Sequence, residues 1–301
     1  MRLSYLSAAL GIIAASSGAI ASDDVSPRAD MTRTTASEES RASVHSWEMP
    51  ALTVEGRSSG ILREEDRIGS YAQPRWTARR RWTEVRSYVI PEGQIEFEYW
   101  LIVKEPKDRD ATRPVKVQQV YEVEIGLPYR FQIDLYQVYQ KTGSSGANEL
   151  DETKFELRYA LADWGKIWAN PTLYGEWVAV SGDYDVAEFK LLLCDEIAPR
   201  WHWAANLVYE QRLGGDRFIS REIKPALAYT VLDEKLSIGA EAKFAWEDVE
   251  GDRGNYQREI LVGPSIQVRP LPQMHLDASY LMGVTDQSLA SKTALILGWE
   301  F

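Results

Sequence analysis

Apolar and polar residues alternate with a period of two along most of the chain from Glu92 onward. The clearest example is residues 153–161, in which the odd positions after Thr153 are Phe, Leu, Tyr and Leu, while positions 154, 156 and 158 are Lys, Glu and Arg. Side chains of a strand point alternately to the two faces of a sheet, so this pattern predicts strands with one apolar and one charged face. Twelve such stretches follow one another, and we expect strands near residues 94–103, 115–125, 129–139, 153–161, 172–180, 185–194, 201–211, 222–231, 236–246, 259–268, 274–283 and 289–301.

The predicted strands have the length and spacing of a membrane-spanning barrel. Each apolar face holds about five residues over a strand of about 9–11, which is what a tilted strand needs to cross a bilayer. The connections tend to alternate between tight turns, such as 126–128 and 232–235, and longer polar loops, such as 105–113 and 248–255. A soluble double sandwich of short strands is the alternative. We predict an all-β fold, a single antiparallel transmembrane β-barrel of about 12 strands over residues 92–301. An even number of strands puts both ends of the barrel on the side of the short turns, which we expect to face the periplasm.

The chain ends on an apolar strand instead of a polar tail. In the last eight residues, Leu295, Leu297, Trp299 and Phe301 fall on one face of the predicted strand. This aromatic end with a terminal Phe resembles the closing strand of bacterial outer-membrane β-barrels. The resemblance implies a location in the bacterial outer membrane, contact with its lipids, and recognition of Trp299 and Phe301 by the barrel-assembly machinery as an assembly signal.

The first 91 residues lack the period-two pattern. Residues 1–21 combine a basic Arg2, a short apolar stretch and a small-x-small end at positions 19–21, which predicts a signal peptide that is cleaved after Ala21. Residues 22–91 form a predicted flexible periplasmic segment, mostly disordered because its first half is polar without apolar periodicity. The extended apolar residues 48–56 are similar to the loose TonB-box pattern. No separate plug domain or large barrel follows them, so we favour a simple linker and expect no TonB contact.

Cations and indole rings are interleaved shortly before the first predicted strand. Alone, this composition indicates a contact with anionic lipid or nucleic acid. The whole chain has a net charge of −11, and phosphate binding requires a positive footprint, so we expect no nucleic-acid partner. Two interpretations remain: a solvated linker, or a partial plug in the periplasmic mouth of the barrel, where the arginines meet inward carboxylates. The residues of this predicted plug are Arg75, Trp76, Arg79, Arg80, Arg81 and Trp82.

The polar faces of the predicted strands carry charges of both signs, with carboxylates in excess. An open pore of this kind holds a negative potential, and we therefore predict an outer-membrane channel or transporter for small solutes with a mildly cation-selective lumen. The alternative is a structural or surface-interaction barrel with a closed lumen, because inward ion pairs can fill a barrel of this size. The predicted lumen-lining residues are Glu122, Glu124, Arg130, Asp134, Lys154, Glu156, Arg158, Glu176, Glu188, Lys190, Glu210, Lys224, Glu241 and Lys243.

Catalytic and metal chemistry have little support in the sequence. The single Cys194 excludes an internal disulfide and a Cys-rich metal site. His275, Asp277 and Ser279 share one strand face, but such neighbours stand side by side about 6.5–7 Å apart, which suits a Ser-His-Asp triad poorly. His202 and His275 have no clustered third ligand. We predict no enzymatic activity, no cofactor and no metal.

One strand-turn-strand unit resembles a known family of barrels. Residues 170–177, Asn-Pro-Thr-Leu-Tyr-Gly-Glu-Trp, follow Ala-Asp-Trp-Gly at residues 162–165. This unit is similar to one in the transporters associated with the meta-pathway of phenol degradation. The resemblance covers residues 92–301 and implies a small outer-membrane channel. It brings no binding residues with it, and it does not extend to the Arg/Trp-rich segment.

Overall fold

The computed structural model describes residues 62–108, 114–143 and 146–301. The predicted signal peptide, its cleavage after Ala21 and the TonB-like residues 48–56 lie outside the described residues. Within those described ranges, no helix is long and apolar enough to cross a membrane.

Twelve antiparallel strands close into one barrel. Each barrel strand pairs with its neighbours in the chain, and the last strand pairs with the first, so that Trp299 lies opposite Phe97. The predicted all-β barrel of 12 strands is confirmed. Two short strands, β1 (Arg67–Ile68) and β2 (Gln73–Pro74), precede the barrel and pair with each other. The barrel strands are β3 (Ile95–Glu105), β4 (Lys116–Leu127), β5 (Phe131–Thr142), β6 (Asn148–Ala160), β7 (Thr172–Val180), β8 (Val186–Ala198), β9 (Trp201–Arg212), β10 (Ile219–Leu232), β11 (Leu236–Asp248), β12 (Gln257–Leu271), β13 (Met274–Gly283) and β14 (Ser291–Glu300).

The connections differ between the two rims of the barrel. We call the rim that holds the start of β3 and the end of β14 the turn rim. Its connections are short, at residues 128–130, 199–200, 233–235 and 272–273, with one longer excursion at 161–171. The opposite rim, here the loop rim, carries the connections at 106–115, 143–147, 181–185, 213–218, 249–256 and 284–290. That the turn rim faces the periplasm stays a prediction.

The barrel wall is apolar outside and polar inside. On β6, Phe155 and Leu157 are 47% and 41% exposed, whereas Glu156 and Arg158 on the other face are 0% and 2% exposed. Aromatic pairs also lie near the turn rim, for example Phe131 with Tyr159, whose ring centroids are 4.6 Å apart. A closed barrel with an exposed apolar face leaves no unpaired strand edge and suits a bilayer.

One residue predicted to line the lumen lies in a turn. Pro128–Arg130 forms a 3-10 turn in which Tyr129 and Arg130 have φ angles of 61° and 67°, so β5 begins only at Phe131. A proline has no N–H for the ladder between strands, which explains why the pairing stops here. The prediction for Arg130 was therefore wrong: its guanidinium contacts Asp163 at 3.0 Å on the turn rim.

Candidate functional site in the barrel lumen

Residues 73–91, which we call the plug, enter the lumen from the turn rim and return to the same rim. At the entry, Arg75 donates two hydrogen bonds of 3.0 Å to Glu234, which lies between β10 and β11. The contact of the plug nearest to the loop rim joins Glu84 to Lys292 at the start of β14. On the way back, the Ile90 N–H donates to the side chain of Gln132 at 2.8 Å. The predicted flexible segment is thus folded against the barrel wall over this part of its length.

Two plug arginines lie among buried carboxylates of β3 and β4. The Arg80 guanidinium donates to Glu98 at 2.8 Å and to Glu122 at 3.1 Å. The Arg86 guanidinium contacts Glu122 and donates to Glu124 at 2.7 Å. All five side chains are at most 9% exposed. Buried charges need close partners of opposite sign, so the wall and the plug compensate each other's charge.

The other plug arginines are held near the turn rim. Arg81 is fully buried and contacts Glu64 at 2.6 Å. Arg79 contacts Glu300 at the end of β14 and lies 3.3 Å from Glu234. Burial opposes ionisation of Glu234, but the hydrogen bond from Arg75 and the guanidinium groups nearby lower its pKa to about 2. These contacts connect the plug to the first and last parts of the folded chain.

Indole rings close the lumen at the turn rim. Trp76 and Trp82 are 0% and 1% exposed, with ring centroids 6.0 Å apart in an edge-to-face arrangement. Trp164, from the long connection at 161–171, packs edge-on against Trp76 at 5.6 Å. The imidazole of His202 lies 4.7 Å from the same ring, and the Trp76 indole N–H donates to Glu196. This aromatic cluster leaves the plug well packed as well as charge-paired.

The predicted lumen residues other than Arg130 fall into two groups. One group is buried in ion pairs or hydrogen bonds at the level of the plug, and the other lines an open cavity beyond the plug tip. The first group comprises Glu122, Glu124, Asp134, Glu156, Arg158 and Glu241, and the second comprises Lys154, Glu176, Glu188, Lys190, Glu210, Lys224 and Lys243.

Several residues of the site were not predicted. Glu64 lies in the segment before the barrel, and Trp164 and Glu234 lie in connections between strands. No period-two pattern in these places predicts which way a side chain points. Arg86 is the last residue of the Arg/Trp-rich segment that the sequence predicts as a partial plug, but its position in the chain does not show which carboxylates it contacts. The remaining contacts depend on how the barrel closes, which the sequence alone does not show.

The cavity beyond the plug, which we call the vestibule, has a volume of about 340 Å³. Its floor is formed by the plug residues Arg80, Thr83, Glu84 and Arg86, and its walls are formed by the parts of the strands that lie nearer the loop rim. Eight cations and six carboxylates line it, so its formal charge is positive although the whole chain is acidic. The lining cations are Arg80, Arg86, Lys104, Lys154, Lys190, Lys224, Lys243 and Lys292, and the carboxylates are Glu84, Glu152, Glu176, Glu188, Glu210 and Glu222.

His275, Asp277 and Ser279 do not form a catalytic triad. The imidazole of His275 contacts Asp277 through Nδ1 and Glu96 through Nε2, so both ring nitrogens are occupied. The Ser279 hydroxyl instead pairs with the Thr83 hydroxyl of the plug at 2.6 Å. A nucleophile in a triad must be bonded to its base, and this geometry separates the two. The absence of enzymatic activity remains a prediction.

Three groups of three residues in the described ranges, two of them acidic throughout and one containing His275, hold ligand atoms within 4.8 Å of one another. Each group is also in contact with cationic side chains of the protein, namely Arg80, Arg86, Arg158 or the imidazole of His275. The protein's own cations therefore compete for these oxygens. The groups are Glu96 with Glu98 and His275, Glu98 with Glu122 and Glu124, and Glu122 with Asp134 and Glu156.

No protein-family model matches the chain, and no curated protein matches it. The resemblance to the phenol-degradation transporters therefore stays a prediction. Among solved structures, an outer membrane channel from Pseudomonas putida F1 is similar with a TM-score of 0.52 and 10% identity, over 71% of this chain and 97% of that chain. The NanC porin is also similar, with a TM-score of 0.46 and 12% identity over 69% of this chain and 98% of that chain. The translocator domain of the autotransporter NalP from Neisseria meningitidis has a TM-score of 0.46 and 11% identity over 69% of this chain and 88% of that chain. Both TM-scores are below 0.5.

At 10% identity, the similarity to the Pseudomonas channel shows a common fold and nothing more. That fold, the closed 12-strand barrel and its exposed apolar outer face make this chain a porin-like β-barrel of the bacterial outer membrane.

Proposed function

We propose that this protein is a passive outer-membrane channel for small solutes, which the plug holds closed until it moves. The observation that carries the proposal is that the plug contributes no strand to the barrel. All 12 barrel strands pair with one another, and none of them pairs with residues 73–91. Contacts with wall side chains hold the plug, and the vestibule already forms a polar cavity between the plug tip and the loop-rim half of the strands. Moving the plug would extend this cavity without breaking the barrel.

The plug also determines which charges a permeating ion meets. Residues 73–91 contain five arginines and one glutamate, so they carry a formal charge of +4. When these cations leave, carboxylates such as Glu98, Glu122 and Glu124 lose their partners and face the open lumen. We therefore expect the mild cation selectivity to belong to the open channel, whose lumen is lined by these carboxylates at the level that the plug vacates.

Conductance in planar bilayers tests this proposal. The full-length protein should give rare or small current steps, and the double variant Arg80→Ala/Arg86→Ala should give larger or more frequent ones, with potassium preferred over chloride. Arg217→Ala is the matched control, because Arg217 pairs with Glu250 on the exposed loop rim, where both side chains are more than half exposed. Equal currents from all three proteins would exclude the plug as a gate. No current from any of them would favour the structural or surface-interaction barrel.

A further inference from the structure

Lysines of three neighbouring strands lie at one level of the barrel, and two of them, Lys104 and Lys292, line the vestibule. In the barrel register, Lys104 of β3 lies directly between Lys292 of β14 and Lys116 of β4. Like charges directly opposite each other in a sheet are destabilising. Lys292 contacts Glu84 of the plug, whereas the ammonium group of Lys104 has no ion-pair partner among the described residues. The arrangement thus leaves the Lys104 side chain beside the vestibule with Glu84 and Glu152 near it but without a contacting carboxylate among the described residues.

Glu84 shows what kind of group this part of the vestibule accepts. Its side chain is only 5% exposed, and its carboxylate contacts the ammonium group of Lys292. Burial alone would raise the pKa of Glu84, but Lys292, Lys224 and Lys243 together lower it to about 2. A carboxylate carried by the plug is therefore strongly stabilised here as the anion.

Carboxylates of the wall only partly neutralise these lysines. Glu222 contacts Lys224 at 2.7 Å and Lys243 at 3.0 Å, and Glu259 contacts Lys243 at 2.9 Å. For Lys292, the plug residue Glu84 is the carboxylate in contact. If Glu84 moves away, Lys104 and Lys292 face each other with no contacting carboxylate from the described wall.

We propose that the part of the vestibule wall beside Glu84, formed by Lys104, Lys224, Lys243 and Lys292, binds a small solute with two or more carboxylates, and that Glu84 occupies part of this site when the solute is absent. This inference rests on the proposed function, because it names the class of solute that displaces Glu84 and so loosens the plug of that channel. A bound solute competes with Glu84 for Lys292. Since Glu84 makes the plug contact nearest to the loop rim, that competition loosens the plug from the side on which the solute arrives.

Calorimetric titration of the folded full-length protein in detergent with citrate tests the site. Wild type should bind citrate. Lys104→Gln should weaken binding on the order of tenfold, because it removes a charge-assisted contact. Glu84→Gln, which removes the internal competitor, should strengthen binding several-fold. Lys235→Gln is the control of equal charge change, since Lys235 is exposed in the turn between β10 and β11 and should leave binding unchanged.

Three results would overturn the site: no citrate binding by wild type and Glu84→Gln, equal effects of Lys104→Gln and Lys235→Gln, or equal binding of the uncharged trimethyl ester of citrate. Binding heat is measured without any current, so the result is separate from the conductance test. A protein that conducts but does not bind citrate would refute only the solute class. Binding without conductance would refute only the channel.

Discussion

Replacing Arg86 by Ala tests whether buried ion pairs hold the plug in the lumen. Arg86 contacts Glu122 and donates to Glu124 at 2.7 Å, and these side chains are 9%, 0% and 4% exposed. Removing one partner of a buried ion pair costs about 3–5 kcal/mol, because the remaining charge stays buried without compensation. Arg80 also reaches Glu122, at 3.1 Å, and continues to compensate it. We therefore expect the lower end of the range, about 3 kcal/mol.

This free energy translates into a change in how often the channel is open. Each 1.4 kcal/mol is a factor of ten in an equilibrium constant, so about 3 kcal/mol changes the ratio of plugged to unplugged protein about a hundredfold. The assay is the open probability of single channels in planar bilayers at pH 7 and constant voltage. The open probability of Arg86→Ala should rise by up to that factor, until the channel is open most of the time.

Two further variants separate charge pairing from general damage. Arg67→Ala removes an arginine that is 46% exposed and pairs with Glu196 at 3.4 Å. Exposed pairs contribute about 0.2–1 kcal/mol, so its open probability should change less than about fivefold. The triple variant Arg86→Met/Glu122→Gln/Glu124→Gln removes charge from both sides and should restore much of the closure. A folded Arg86→Ala protein that stays within fivefold of wild type would refute the reasoning.

Three other predictions concern pH, assembly and stability. Glu84 and Glu234 have pKa values of about 2 in the folded protein, against about 4.3 for a free glutamate. Their ionisation therefore stabilises the docked plug above about pH 4.3, and this stabilisation is lost as the pH falls toward 2. Channel opening should increase between about pH 4.5 and 2.5, and an open probability that does not change over this range would contradict the prediction. Phe301→Asp should lower the amount of barrel assembled in the outer membrane. The control is Leu62→Asp, since Leu62 is an exposed apolar residue before the barrel strands; equal amounts of the two variants would show that Phe301 is not an assembly signal. Unheated wild type should migrate differently from boiled protein in SDS gels, because a closed barrel leaves no unpaired strand edge, and identical migration would count against a stable barrel.

The alternation of side chains determined most of the wall. Strands β7 (Thr172–Val180) and β13 (Met274–Gly283) begin and end at the predicted residues, and the other limits differ by a few residues. The reason is local: consecutive strand residues point to opposite faces, and a bilayer outside with charges inside requires that the two faces differ over the whole strand. Residues of the Pro128–Arg130 turn escape this rule because the ladder between strands is interrupted there.

What filled the lumen was decided by tertiary structure. Residues 73–91 have no regular period, so the sequence left open whether Arg80 and Arg86 lie in solvent or among carboxylates. Their contacts with Glu98 and Glu122 exist only because β14 pairs with β3 and closes the barrel around them. The same enclosure makes the formal charge of the vestibule positive although the chain as a whole is acidic. The plug arginines pair with carboxylates of the wall, and the lysines of the wall then outnumber the wall carboxylates that face the cavity. Sequence alternation assigns each charge to the inside, but Coulomb energy depends on distances between strands that are far apart in the chain.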